Sequence, residues 1–250
     1  MSEIRRHFDR AAASYPPDIG DAHAQLLKWD ILARHAVTGT LAADIGAAGG
    51  RHALLLAERG LTVVALDIST AMVGAGAERA AARELSARVL SVAGALPELP
   101  LAPRHFDLVF CYSTLLLLPH AGQRQAIAAL ADLLRPGGTL VVDLAGAHCL
   151  AIHYWRRHYR RLGLPGIFGH SLRAARRLLA GAGLTIVEIH PQGVLSQLLL
   201  LPGLCRLPGV EATVRGAAGR RGLDDCVSRW LPSLAERWYV VARQGVTGDD

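Results

Sequence analysis

The segment Leu41-Ala-Ala-Asp44-Ile-Gly46-Ala47-Ala48-Gly49-Gly50 constrains this chain more than any other. An apolar run ends in an acid, a glycine-rich turn follows, and Arg51-His-Ala-Leu-Leu-Leu-Ala then has the spacing of an amphipathic helix. A backbone that must pass close to a bulky ligand needs residues without large side chains. The unpaired N–H groups at the helix start then face that ligand. About 20 residues on, where such folds place an acid, a second apolar run, Leu61-Thr-Val-Val-Ala-Leu66, ends in Asp67. A carboxylate there can bridge the two hydroxyls of a ribose. Strand, glycine turn, helix, strand and acid make a nucleoside-binding half-fold.

Two ligand classes use such a half-fold. Dinucleotides want G-x-G-x-x-G; read from Gly46, the chain offers Gly46, Ala48 and Arg51, which breaks the pattern at its last position. S-adenosylmethionine sites want an acid, one spacer and G-x-G-x-G. Here that reads Asp44, Gly46, Ala48 and Gly50, with one glycine replaced by alanine. A tight strand-to-helix turn with no ligand fits the same residues.

Other segments favour the second class. Arg6-His7-Phe8-Asp9-Arg10-Ala-Ala-Ala-Ser14-Tyr15 reads as a leading helix. Leu99-Pro100-Leu101 precedes Phe106-Asp107-Leu108-Val109-Phe110, Leu134-Arg135-Pro136-Gly137-Gly138 runs into Thr139-Leu140-Val141-Val142, and Leu178-Leu179-Ala180-Gly181-Ala182-Gly183-Leu184 follows. In this order and spacing they resemble the class I S-adenosylmethionine-dependent methyltransferases, in the small-molecule branch, over residues 4–190 and 236–243. The resemblance implies an α/β, Rossmann-like, doubly wound sheet of seven strands, mostly parallel, with the last antiparallel between the fifth and sixth. An N-terminal helical cap and a helical insert before the last strand complete it.

The expected strands fall near 41–45, 61–66, 88–92, 106–111, 138–143, 184–190 and 237–243, with helices at 3–14 and 21–37 and in the gaps between the first six strands. The chain reads as one domain over 1–250: cap 1–38, cofactor-binding core 39–190, insert or lid 191–235, last strand and tail 236–250. A hydrophobic share of 51% suits parallel strands buried on both faces. No signal peptide and no bilayer-length apolar run is visible. Cys111, Cys149, Cys205 and Cys226 form no C-x-x-C pair, which fits reduced thiols in the cytoplasm and no metal site.

The net charge of +6 raises the question of nucleic acid. Lys28 is the only lysine, and the one cluster is seven arginines without an acid between Asp143 and Glu188. A solvated helix face explains it, and so does an anionic substrate or acidic partner. Base methyltransferases of the family carry an Asn/Asp-Pro-Pro-aromatic motif after strand four, where this chain has Cys111-Tyr112-Ser113-Thr114. The expected partner is a small-molecule acceptor, not nucleic acid and not a stably inserted membrane; a homodimer is left open.

Carried over residue by residue, the resemblance gives Asp44, Gly46, Ala47, Ala48 and Gly50 to the turn under the methionine part and ribose of S-adenosylmethionine. Asp67 takes the ribose hydroxyls, with Ile68 and Met72 near the adenine. Gly94, Ala95 and Leu96 flank it, with Ala95 where the family often has an acid for the adenine amino group. Cys111 and Tyr112 line the methionine side, and Tyr15 reaches its carboxylate. No catalytic motif is visible; His148 and His153 follow strand five and suit proton removal near neutral pH, though each also fits a surface role. Two segments outside the common core, 145–170 with its histidines and aromatics and 191–235 with Val194–Leu204, are expected to border an apolar acceptor pocket. The activity implied is methyl transfer to a small, largely apolar acceptor. A degenerate fold that only binds, or other chemistry with the same cofactor, competes with it.

Overall fold

A computed structural model describes residues 2–20, 22–201, 203, 209–216 and 222–245. The apolar runs form seven strands: β1 Leu41–Ile45, β2 Thr62–Asp67, β3 Val89–Ala93, β4 Phe106–Cys111, β5 Leu134–Ala145, β6 Leu184–Gln192 and β7 Arg237–Gln244. They lie in the order β3-β2-β1-β4-β5-β7-β6. The first five are parallel neighbours. β7 is antiparallel to both β5 and β6, as expected. Ala43, Val109, Leu140 and Val241 are fully buried, because helices cover both faces of the sheet.

The α-helices among the described residues are α1 Ser2–Ala11, α2 His23–His35, α3 Arg51–Glu58, α4 Thr70–Ala82, α5 His120–Leu133, α6 Ala151–Arg161, α7 Leu172–Ala180, α8 Val210–Arg215 and α9 Leu223–Trp230. One expectation fails. No helix forms between β3 and β4: residues 94–105 are turns and bends. Pro97, Pro100 and Pro103 punctuate that stretch, each lacking the N–H a helix interior needs. β5 also begins earlier than expected, since Leu134 pairs with Phe106 ahead of a register shift.

The cap is tied to the core by specific bonds. Ser69 Oγ donates to Asp9 Oδ1 at 2.6 Å, fixing α1 over the start of α4. Tyr112 Oη donates to the carbonyl of Lys28 at 3.1 Å, holding α2 against the end of β4. In the insert, the buried Asp224 accepts from the N–H groups of Gly193, Leu195 and Ser196. Ser196–Leu200 is a short 3-10 helix with Leu199 buried and Leu198 and Leu201 exposed. The leucine run is therefore partly core; its Pro202 and Leu204, like Cys205, lie outside the described residues. No helix among the described residues is long and apolar enough to cross a membrane.

Candidate functional site

In an open parallel sheet the carboxyl ends of the strands, at the point where strand order reverses, form a crevice. Here the reversal is at β1, between β2 and β4. A cleft lies over it, walled by α1, the ends of β1 and β2 and the loops after β3 and β4.

The glycine turn forms its floor. Gly46 sits at φ +79°, and a side chain there would collide with the Thr114 hydroxyl. Gly50 is left-handed at φ +73° and caps α3. Between them Ala48 is left-handed too, at φ +48°, a region where a side chain costs about 1 kcal/mol. The turn holds this residue by a hydrogen bond from its N–H to Asp67 Oδ2 at 2.8 Å. Asp67 Oδ1 accepts from Ser69 N at 2.9 Å. The carboxylate is thus fixed at both oxygens by backbone donors, and each oxygen keeps a lone pair for a ligand hydroxyl. Burial pushes its pKa up, opposed by those two N–H donors.

Of the residues expected to meet a cofactor, Gly46, Ala48 and Asp67 line the cleft. So do Ile68, Gly94, Ala95 and Leu96 at its β2–β3 end and Tyr15 and Tyr112 at the other. Tyr15 is held there by Arg79, whose Nη2 donates to the Tyr15 carbonyl and whose Nη1 donates to the Gly49 carbonyl, each at 3.1 Å. Arg51 stacks on the Tyr15 ring, 5.5 Å from its centroid. Asp44, Ala47, Gly50, Met72 and Cys111 do not line the cleft; all are buried behind it. Met72 is fully buried and its N–H is bonded to Ser69 Oγ, so it supports the β2 loop. Ala95 offers no carboxylate to an adenine.

Asp44 stands directly before the turn, and its Oδ2 is buried without a hydrogen-bond partner. Burial and the neighbouring Asp67 hold its pKa well above the usual carboxylate range. A buried acceptor left unpaired behind a cleft calls for a partner.

His148 and His153 are both exposed and line no part of the cleft. Residues 148–159 and 194–201 come near it only at second hand. Ile152, Trp155, Tyr159 and Leu200 pack in one apolar cluster with Phe8 and Leu117, and Phe8 and Leu117 are the ones that line the cleft.

Several lining residues gave no signal in sequence. Ile4 and Phe8 come from α1, and Ser113, Thr114, Leu117 and Leu118 from the loop after β4. Ser113 has φ +58°. Its N–H donates to Asp143 Oδ1 at 2.6 Å, and its hydroxyl accepts from Lys28 Nζ at 3.0 Å and Arg237 Nη1 at 3.1 Å. Arg237 Nη1 also meets Asp143 Oδ2 at 2.8 Å. Burial lowers the Lys28 pKa to about 8, partly offset by Asp143. Lys28 alone could have been noticed, as the single lysine.

Residues 42–138 match the family model described as a methyltransferase domain. The chain is similar in structure to the cyclase SpnF, at 20% identity and TM-score 0.69, over 97% of this chain and 95% of that one. It is similar to geranyl diphosphate C-methyltransferase from Streptomyces coelicolor A3(2), solved with Mg2+, geranyl diphosphate and S-adenosyl-L-homocysteine. That match has 15% identity and TM-score 0.60, over 89% of this chain and 78% of that one. Magnesium protoporphyrin IX methyltransferase from Synechocystis PCC 6803, solved with bound S-adenosylhomocysteine, matches at 17% identity and TM-score 0.57, over 98% and 86%. The strand order, the antiparallel seventh strand and the cleft over β1 are those of the class I methyltransferase fold.

Proposed function

We propose that this chain, which carries a methyltransferase domain of the class I S-adenosylmethionine-dependent type, binds S-adenosylmethionine and transfers its methyl group to a small, largely apolar acceptor. The observation that carries the reading is the Asp67 carboxylate, fixed by the N–H groups of Ala48 and Ser69 at the lip of the glycine turn. That arrangement presents two oriented acceptors to a ribose diol, as the fold requires. The unpartnered Oδ2 of Asp44 suits a hydrogen-bond donor of the same cofactor. Ile68, Gly94 and Leu96 offer an apolar slot for the adenine, and Tyr15 with Arg51 stands at the amino-acid end.

When bound, the cofactor supplies an activated methyl group. The chain then has to position and shield. Ile4 and Phe8 from the cap and Leu117 and Leu118 from the β4 loop wall the cleft with apolar surface, which keeps water from the reacting groups. Holding the acceptor in line with the methyl group is a rate factor such a site can supply by positioning alone. His148 and His153, exposed as they stand, supply no proton acceptor to the cleft. The apolar cluster of Phe8, Leu117, Trp155 and Tyr159 supports an acceptor with a hydrophobic body. The same reading places the reaction in the cytoplasm, on a small molecule and not on nucleic acid.

A second reading keeps the cofactor and changes the chemistry. It is favoured by the likeness to SpnF, described as a cyclase, over nearly the whole chain. Calorimetry decides the shared premise. S-adenosylmethionine and S-adenosylhomocysteine should bind and NAD should not; if neither sulfur ligand binds, both readings fall. Transfer of the labelled methyl group from methyl-tritiated cofactor to candidate acceptors then separates methyl transfer from other chemistry.

A further inference from the structure

We propose that Arg237, set by Asp143 and linked through Ser113 to Lys28, forms a carboxylate-binding subsite for the acceptor at the end of the cleft. The inference rests on the cofactor reading above and adds the chemical class of the acceptor: an apolar body carrying an acid.

Four residues far apart in sequence converge there: Lys28 of α2, Ser113 of the loop after β4, Asp143 of β5 and Arg237 of β7. Asp143 is fully buried and accepts from both Ser113 N and Arg237 Nη1. Lys28 is 4% exposed. Holding charged groups out of water is expensive unless they are paired, and the pairing here is incomplete. The hydrogen bonds of Arg237 to Ser113 and Asp143 both use Nη1. Nε and Nη2 form the other edge of the planar fork, the edge that matches a carboxylate at two points. The side chain as a whole keeps 21% exposure, and Tyr239 and Glu236 also face it.

Within the hydrogen-bonded cluster two cations, Lys28 and Arg237, meet one carboxylate, Asp143. Lys28 and Arg237 face Asp143, and Arg51 lies near Lys28. Burial pushes Glu236, beside Arg237, and Asp44, beside Arg51, toward their neutral forms. Burial also raises the Tyr159 phenol, next to Arg237, so it stays uncharged. A ligand anion would balance the account.

Position decides whose anion it is. The glycine turn lies over β1, and Arg51, stacked on Tyr15, is the cation beside it. Arg237 lies on β7, beyond β4 and β5 in the row. It reaches the cleft through Ser113, whose hydroxyl accepts from two cations and so has its own hydrogen left for a ligand. On the same side Phe8 and Leu117 join the cleft to the apolar cluster of Trp155, Tyr159 and Leu200. An apolar wall ending in a cationic fork fits a hydrophobic acid.

The test titrates the protein, saturated with S-adenosylhomocysteine, with hexanoate, benzoate and 1-naphthoate and with the matching carboxamides. At least one acid should bind about tenfold more tightly than its amide, the order expected for a charge-assisted bond. The preference should vanish in the double variant Asp143→Asn, Arg237→Gln, which removes both charges together and so avoids stranding one in the interior. It should weaken in Lys28→Met. S-adenosylhomocysteine affinity should stay within about threefold in both, since the proposal adds no interaction with it. Equal binding of acids and amides, or no binding of any acid, overturns the proposal. So does an unchanged preference in the double variant. If both variants lose S-adenosylhomocysteine affinity instead, the cations serve the cofactor's own carboxylate and the proposal is wrong. If S-adenosylhomocysteine does not bind the native protein, the function reading fails by itself, and the same acid–amide titration of the free protein judges the subsite.

Discussion

The two ends of the cleft are built by different means. At the β2–β1 end, recognition belongs to backbone: the Ala48 and Ser69 N–H groups fix one carboxylate, and a left-handed turn clears the space. At the β4–β7 end it belongs to side chains brought from 85 to 124 residues apart, as in Lys28 to Ser113 and Ser113 to Arg237. A backbone site tolerates changes in side chain and fails when the turn fails. A side-chain site has charges out of water and fails one residue at a time. The first kind suits a constant ligand, the second a ligand that distinguishes one protein of this fold from another.

The sharpest way to break the comparison is to remove Asp143. Asp143→Ala strands Arg237 and leaves the Ser113 N–H without its acceptor. Removing one partner of a buried pair costs about 3–5 kcal/mol, and the partial exposure of Arg237 places the effect at the lower end. Urea unfolding should show the loss, and the Asp143→Asn, Arg237→Gln double variant should recover part of it. A destabilisation under about 1 kcal/mol, the ordinary surface range, would mean the charges at this end are solvated after all.

Next in size is Asp67→Ala, at the opposite end. It removes the acceptor of two N–H groups and the expected ribose contact. Cofactor affinity should fall by about 1–3 kcal/mol, the cost of unpaired polar groups, read by calorimetry with S-adenosylhomocysteine. The acid–amide preference at the far end should survive. Loss of both would show that the two ends are one cooperative unit.

What could be read from sequence divides along the same line. The turn, Asp67 and all seven strands were legible because their signals are local: spacing over ten residues, or an apolar run ended by an acid. Ala48 in the left-handed region agrees with its reading as a substituted glycine. The far end was not legible. Ser113, Asp143 and Arg237 are ordinary residues until the antiparallel β7 lays Arg237 against Ala145 at the end of β5. His148 and His153 were drawn toward the site by their closeness to strand five in sequence, but the chain turns into α6 there and leaves both exposed. The missing helix at 94–105 had its signal in three prolines that the strand–helix alternation outweighed.

Acid should separate the two ends again. His52, at the start of α3 under the backbone end, is buried with its Nε2 unpartnered. Burial lowers its pKa to about 3 from 6.5. The unfolded chain therefore takes up a proton that the folded one refuses. The stability this histidine contributes is complete above pH 6.5 and is lost as pH falls toward about 3, with a slope near 1.4 kcal/mol per pH unit. Between pH 7 and 5 that amounts to about 2 kcal/mol. His170, lowered to about 4 by burial and His120 but more open to water, adds a smaller slope in the same direction. His52→Phe should flatten most of the acid limb in unfolding measurements at pH 7 and 5; an unchanged limb would place the proton uptake elsewhere.

The smallest effect is expected at Ala48, and its smallness is the informative part. The residue holds φ +48°, where glycine escapes a penalty of about 1 kcal/mol. Glycine also loosens the unfolded chain by about 0.4–1 kcal/mol. The two terms oppose each other, so Ala48→Gly should leave stability within about 0.5 kcal/mol of the native protein. Binding should change as little, because the group that meets Asp67 is the N–H, which glycine keeps. Valine tests the same logic from the other side. Its branched side chain resists a left-handed backbone and would stand in the cleft that Ala48 lines, so Ala48→Val should abolish S-adenosylhomocysteine binding. If valine binds like the native protein, the ligand does not cross this turn, and the end of the cleft assigned to backbone recognition has been assigned wrongly.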